Sequence, residues 1–177
     1  MKTPLFKKNS SPPASEAPPD GSREPSGEFS ARHVYGRTAA VCFNAALTRH
    51  GERTVTIDIA GARAEGGYHW QDKTQFQCSP GELAELTAAL FHPGLPLRLV
   101  HHSSAVKTLT VTYQSPNILV ALAQGPHVLR VPVRPSDQFL VRNFLLARLA
   151  EAQRLPAAVV LRSLEVLAAQ LGPACES

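Results

Sequence analysis

The pattern of apolar and polar positions becomes regular at about Val34 and stays so almost to the end of the chain. Thr54-Val55-Thr56-Ile57-Asp58-Ile59-Ala60 alternates strictly, which sets Val55, Ile57 and Ile59 on one face of a strand. Before it, Tyr35–Phe43 predicts a strand with small residues at its centre, where another backbone or a flat ligand can approach closely. Arg49–Glu52 marks a turn between these two runs, and Gly61–Gly67 marks a loop. Tyr68-His69-Trp70 and Thr74–Cys78 then predict two short polar-aromatic strands. Four further strands are expected near Leu97–His101, Val106–Tyr113, Ile118–Ala123 and Val128–Arg134. Pro132 places the last of these at a sheet edge or a bulge, because proline donates nothing to a ladder.

Helix signals sit between and after the strands. Ser79-Pro80-Gly81-Glu82 spells a capping box with proline at the first helical position, and Leu83, Leu86 and Leu90 follow on one face. His92-Pro93-Gly94 stops that helix. A second helix opens near Pro135-Ser136-Asp137 and runs to about Gln153, with apolar residues on more than one face. Such a helix needs two surfaces to bury against, and a second subunit is one candidate. Phe139, Phe144 and Leu145 are the expected contact residues there. A third helix, about Pro156–Leu171, spaces Val160, Leu164, Leu167 and Leu171 as a seam for another helix. Leu164 is the fourth expected interface residue, and packing within one subunit is the competing explanation for both helices. Four strands, a helix, four strands and then helices define an α+β class, without the alternation of a parallel sheet.

Composition sets the boundaries. Residues 1–30 hold six of the fifteen prolines and balance four basic against four acidic residues, which predicts a disordered tail. Phe6 and Phe29 in that tail are docking points or stray aromatics. The expected folded domain is 31–153, followed by a helix and short tail at 154–177. Residues 31–153 carry twelve basic and eight acidic side chains, the whole net charge of +4, and all seven histidines. A surplus confined to the folded region suits a polyanionic partner. Three scattered cysteines, Cys42, Cys78 and Cys175, give no disulfide framework and point to a reducing, cytoplasmic or nucleoid-type compartment. Cys42 and Cys78 are expected as small buried hydrophobes. No apolar run is long enough to span a membrane, and the first residues lack a secretory or transit pattern.

Four segments, in order, resemble the Whirly family of single-stranded DNA-binding proteins. Tyr68–Glu82 carries a Tyr-x-Trp followed by Lys, Phe, Ser and an acidic helix start at similar spacing. Tyr35-Gly36-Arg37-Thr38-Ala39-Ala40-Val41 is similar to the family's basic, small-residue strand, with Tyr35 and Arg37 standing where two lysines are usual. Val106–Leu109, with its basic Lys107, and Val131-Pro132-Val133 with Ser136–Phe139 complete the set over about residues 34–150. The resemblance implies two four-stranded antiparallel sheets packed at a steep angle, with a helix after each; the third helix is an addition. It also implies a homotetramer that holds single strands at sheet edges between subunits. Related folds in kinetoplastid mitochondrial RNA-binding proteins keep RNA open as the partner.

Single-strand binding needs cations along the phosphates and flat rings for the bases. Arg37, Lys73, Lys107 and Arg130, with Arg134 beyond, are the candidate cations; Tyr35, Tyr68 and Trp70 are the candidate platforms. Gln75, paired with Gln77, is placed to hydrogen-bond base edges. Phe43 and Phe76 are expected in the core, and core packing is also the competing role for Tyr68 and Trp70. The glycines at 61–67 are not followed by Gly-Lys-Ser/Thr, and no Gly-x-Ser-x-Gly elbow occurs. His69, His101 and Asp58 have no spacing that brings them together. A non-catalytic binding protein, with no metal or other cofactor, is therefore expected. A protein–protein interaction module built on the C-terminal helical seam is the rival from another class.

Overall fold

A computed structural model describes residues 30–102 and 105–172. The expectations for the N-terminal tail, including Phe6 and Phe29, and for Cys175 lie outside the described residues, apart from Ser30.

The first sheet has the order β1 (Ala31–Tyr35), β2 (Ala39–Leu47), β3 (Arg53–Gly61) and β4 (Thr74–Gln77), each strand antiparallel to the next. Helix α1 (Pro80–Phe91) follows. The second sheet has the order β5 (Leu97–His102), β6 (Val106–Gln114), β7 (Asn117–Gln124) and β8 (His127–Val133), again antiparallel throughout. Two helices close the chain, α2 (Pro135–Gln153) and α3 (Ala157–Leu171). The α+β class expected from the alternation is present, and so are the two four-stranded antiparallel sheets that the resemblance implies.

Side chains alternate across each strand, so the register defines two faces. In the first sheet Val34, Val41, Phe43, Ile57, Ile59 and Phe76 share the inner face and are buried under the helices. In the second, Leu97, Leu99, Leu109, Val111, Val120, Leu122, Val131 and Val133 do the same. Helix α1 supplies Leu83, Leu86 and Leu90 to this core, and α2 supplies Val141, Leu145 and Leu149. The α1 start is built as expected: the Glu82 amide donates to Ser79 Oγ (3.3 Å), and the Ser79 amide donates to Glu82 Oε2 (2.7 Å). Pro132 lies on β8, the edge of its sheet, where its missing N–H costs no ladder bond.

Three expectations need correction. The run Tyr35–Phe43 is a hairpin rather than one strand: the chain reverses at Gly36-Arg37-Thr38, with the Gly36 amide donating to the Ala39 carbonyl (2.9 Å). A Cβ at Gly36 would sit 2.9 Å from that same oxygen, so the reversal needs glycine. Tyr68-His69-Trp70 is not a strand either. Tyr68 makes an isolated bridge to Ala62, and Trp70–Asp72 forms a single 3-10 turn. The count of four strands survives because one expected strand became two and one became a turn. Third, Phe144, Leu145 and Leu164, expected at a subunit interface, are buried inside the protomer. The α3 seam docks on α1 and α2 of its own chain, through Val160, Leu164 and Ala168. Of the four interface residues only Phe139 is open to solvent, at 67% exposure.

Candidate nucleic-acid interface

The outer face of the first sheet carries an aromatic surface. His33 and Tyr35 are two apart on β1, so both rings project from that face. They stack at 5.9 Å between centroids with an interplanar angle of 9°. Tyr68 stacks on Tyr35 at 5.6 Å, Trp70 sits edge-on to His33 at 5.6 Å, and Tyr68 and Trp70 lie 6.2 Å apart. Four rings therefore form one continuous cluster, with Tyr35 60% exposed and Trp70 partly exposed. The small residues of β2 explain its seat: Ala40 lies directly across from Tyr35, and Cys42 across from His33. Tyr68 Oη donates to the Gly36 carbonyl (2.7 Å), tying the ring to the hairpin turn that presents the exposed Arg37.

Beside the rings lies a polar floor centred on Asp58. Its carboxylate is almost fully buried, yet it accepts from Lys73 Nζ (2.6 Å), Asn44 Nδ2 (3.0 Å) and Gln75 Nε2 (3.1 Å). Asn44 Oδ1 in turn accepts from the Cys42 thiol (3.1 Å). Burial, then the nearby Asp58 charge, push the Cys42 thiol up to about 11, against the opposing effects of Asn44 and Lys73; the thiol stays protonated and donates. Lys73 and Gln75 are thus committed to an internal carboxylate, which their positions in the sequence did not reveal. Lys73 retains a half-exposed side chain, with N–H groups beyond the one used by Asp58.

The remaining candidates divide. Lys107 reaches across from β6 and donates to the Gln75 backbone carbonyl (2.9 Å), joining the second sheet to the edge of the first. Arg130 is not part of the ring cluster: it projects from the outer face of the second sheet. There the register runs Arg98–Thr110–Ala121–Arg130, two arginines flanking a lane of small side chains. The second sheet has a further property that the overall charge concealed. No acidic residue occurs between Glu85 and Asp137, a stretch that includes all four of its strands.

The side chains considered for catalysis do not converge. His101 lies on the inner side of β5, its ring 3.9 Å from that of Phe76, and its Nε2 sits 2.8 and 3.0 Å from the two Glu82 oxygens. Asp58 is occupied by its three donors. Among the described residues no group of three or more His, Cys, Asp or Glu side chains is placed to hold a metal. His33 is the site residue the sequence reading missed. Its signal was its spacing of two from Tyr35, hidden because the strand was expected to start at Val34.

Two four-stranded antiparallel sheets, each followed by a helix, define a Whirly-like fold, to which α3 is added. Among the solved structures it matches are three plant proteins. WHY1 from Arabidopsis thaliana superposes with a TM-score of 0.59 at 13% identity, covering 82% of this chain and 96% of that one. WHY3 from the same plant gives 0.56 at 14% identity, covering 81% and 98%. The plant transcriptional regulator PBF-2 gives 0.56 at 15% identity, covering 72% and 92%. No protein-family model and no curated protein matches the sequence.

Proposed function

We propose that this protein is a non-catalytic single-stranded DNA-binding protein that coats or protects exposed strands. The observation that carries the reading is the solvent-facing cluster of His33, Tyr35, Tyr68 and Trp70. Bases stack on such rings whatever their identity, and the exposed Arg37 and half-exposed Lys73 supply positive charge beside them. The acid-free second sheet, with Lys107 and Arg130, adds a surface that does not repel phosphate. A fold shared with a plant transcriptional regulator supports a role on nucleic acid, in transcription control, repair or recombination. The homotetramer is part of the same proposal. Its support is the exposed apolar corner of α2 formed by the adjacent Phe139 and Leu140.

Trp70 is the only tryptophan, so its fluorescence reports on the site directly. Oligo-dT is expected to quench it, and a duplex of equal length to quench it less. Unchanged fluorescence together with unchanged oligonucleotide anisotropy at low salt overturns the reading and favours the interaction module. Matched DNA and RNA strands in competition decide between DNA and the alternative, an RNA-binding or annealing protein on the same scaffold.

A further inference from the structure

The hairpin that carries Tyr35 rests against the second sheet. A Cβ on Gly36 would lie 3.4 Å from Pro132 Cδ and 3.6 Å from Val131 Cγ1, so the β1–β2 turn packs on β8, the edge strand of that sheet. Tyr35 precedes the turn, Arg37 stands in it, and both are exposed, as is Pro132 beside them. The rings of the first sheet therefore adjoin the outer face of the second across a seam at Gly36 and Pro132.

The register says what that outer face offers. Arg98, Thr110, Ala121 and Arg130 form one row across all four strands. By alternation Thr108 and Thr112 stand on the same side of β6 as Thr110, and Arg134 follows Arg130 on the same side of β8. Strands lie about 4.8 Å apart, so the ends of the row, Arg98 and Arg130, are separated by roughly 14 Å. Both arginines are exposed. Among the described residues neither guanidinium makes an ion pair or hydrogen bond, and the three threonine hydroxyls are equally unpartnered. No Phe, Tyr or Trp side chain stands on this face, and no acid occurs from Leu86 to Ser136. It presents charge and hydroxyl donors but nothing flat for a base. Those groups suit phosphodiester oxygens, which a guanidinium meets with two parallel donors.

We propose that a single strand seated on the rings leaves them over the Gly36–Pro132 seam and continues across the second sheet, its phosphates held by Arg130, Arg98 and the threonine hydroxyls between them. The inference rests on the single-strand reading and adds to it a track that grips backbone without gripping bases. Stacking then belongs to one sheet and phosphate neutralisation largely to the other, so a strand too short to cross the seam forgoes the second.

Oligo-dT of two lengths tests the track in the full chain, at about four and about sixteen nucleotides, the range that single-strand-binding folds cover. Trp70 fluorescence and oligonucleotide anisotropy are the readouts. In the double variant Arg98→Ala, Arg130→Ala the affinity advantage of the longer strand over the shorter is expected to shrink at least several-fold. Its log–log salt slope for the longer strand should flatten by about 1.4, two phosphates at about 0.7 each. Thr110→Glu, which sets an acid in the middle of the row, is expected to shrink the same ratio. An unchanged ratio and slope in both variants sink the track, and if the longer strand still quenches Trp70 there, the single-strand reading stands without it. Equal loss for both lengths also refutes it, because the arginines then act at the rings. So does a wild type that holds both lengths equally well. A wild type that binds neither overturns the single-strand reading itself.

Discussion

Asp58 changes the meaning of Lys73. A buried carboxylate is tolerable only while its charge is matched, and Lys73 is the cation that matches it. Lys73→Ala is therefore expected to lower stability by about 1–3 kcal/mol, read as a fall in the urea midpoint. Combining it with Asp58→Asn should recover part of that loss. A Lys73→Ala protein as stable as the wild type would show that the pair does nothing for the fold. The rings have the opposite character. Tyr35 is the most exposed of the three predicted platforms, and Tyr35→Ala should cost about 1–3 kcal/mol of oligo-dT affinity with little change in stability. Trp70, locked between His33 and Tyr68, should lose both affinity and some stability.

At the level of elements, α1 makes the clearest prediction. Burial alone would raise the Glu82 carboxyl, but hydrogen bonds from the Ser79 amide and hydroxyl and from His101 outweigh it and hold the group below its usual range. A carboxyl depressed by folding contributes stability that is present above its unfolded pKa and is lost as pH falls through the folded value. Wild type should lose this increment on acidification below about pH 4.5, and Glu82→Gln should lack it at neutral pH, by about 1 kcal/mol. Urea midpoints measured against pH check both. This helix was legible because its start is coded locally, in Ser79, Pro80 and Glu82. The strict alternation of Thr54–Ala60 was legible for the same reason. The hairpin at Gly36 was not, because Tyr35–Phe43 is uniformly compatible with a strand and only the glycine breaks it. Nor was the Asp58 network, whose members come from β2, β3 and the segment at 73–75, brought together only by register. Leu164 and Leu145 misled for a related cause: an apolar stripe says that a helix must be covered, not by which chain.

For the whole molecule, three to five phosphate contacts per protomer predict a log–log salt slope of roughly −2 to −3.5 for a single-stranded oligonucleotide. A slope near zero would mean that the basic surplus takes no part. Light scattering is expected to give the mass of four protomers, and Phe139→Glu to shift it downward, since Phe139 is the expected contact residue left uncovered. A monomeric wild type would return that exposed corner to some other use.

Flat sheets with open margins invite stacking into fibrils, and both sheets here have a guarded margin. Proline at 132 removes a backbone donor from the last strand of the second sheet. The ammonium of Lys107 occupies a carbonyl on β4, the last strand of the first. Replacing either residue with valine should leave the native shape intact while making concentrated solutions turn turbid sooner on prolonged warming.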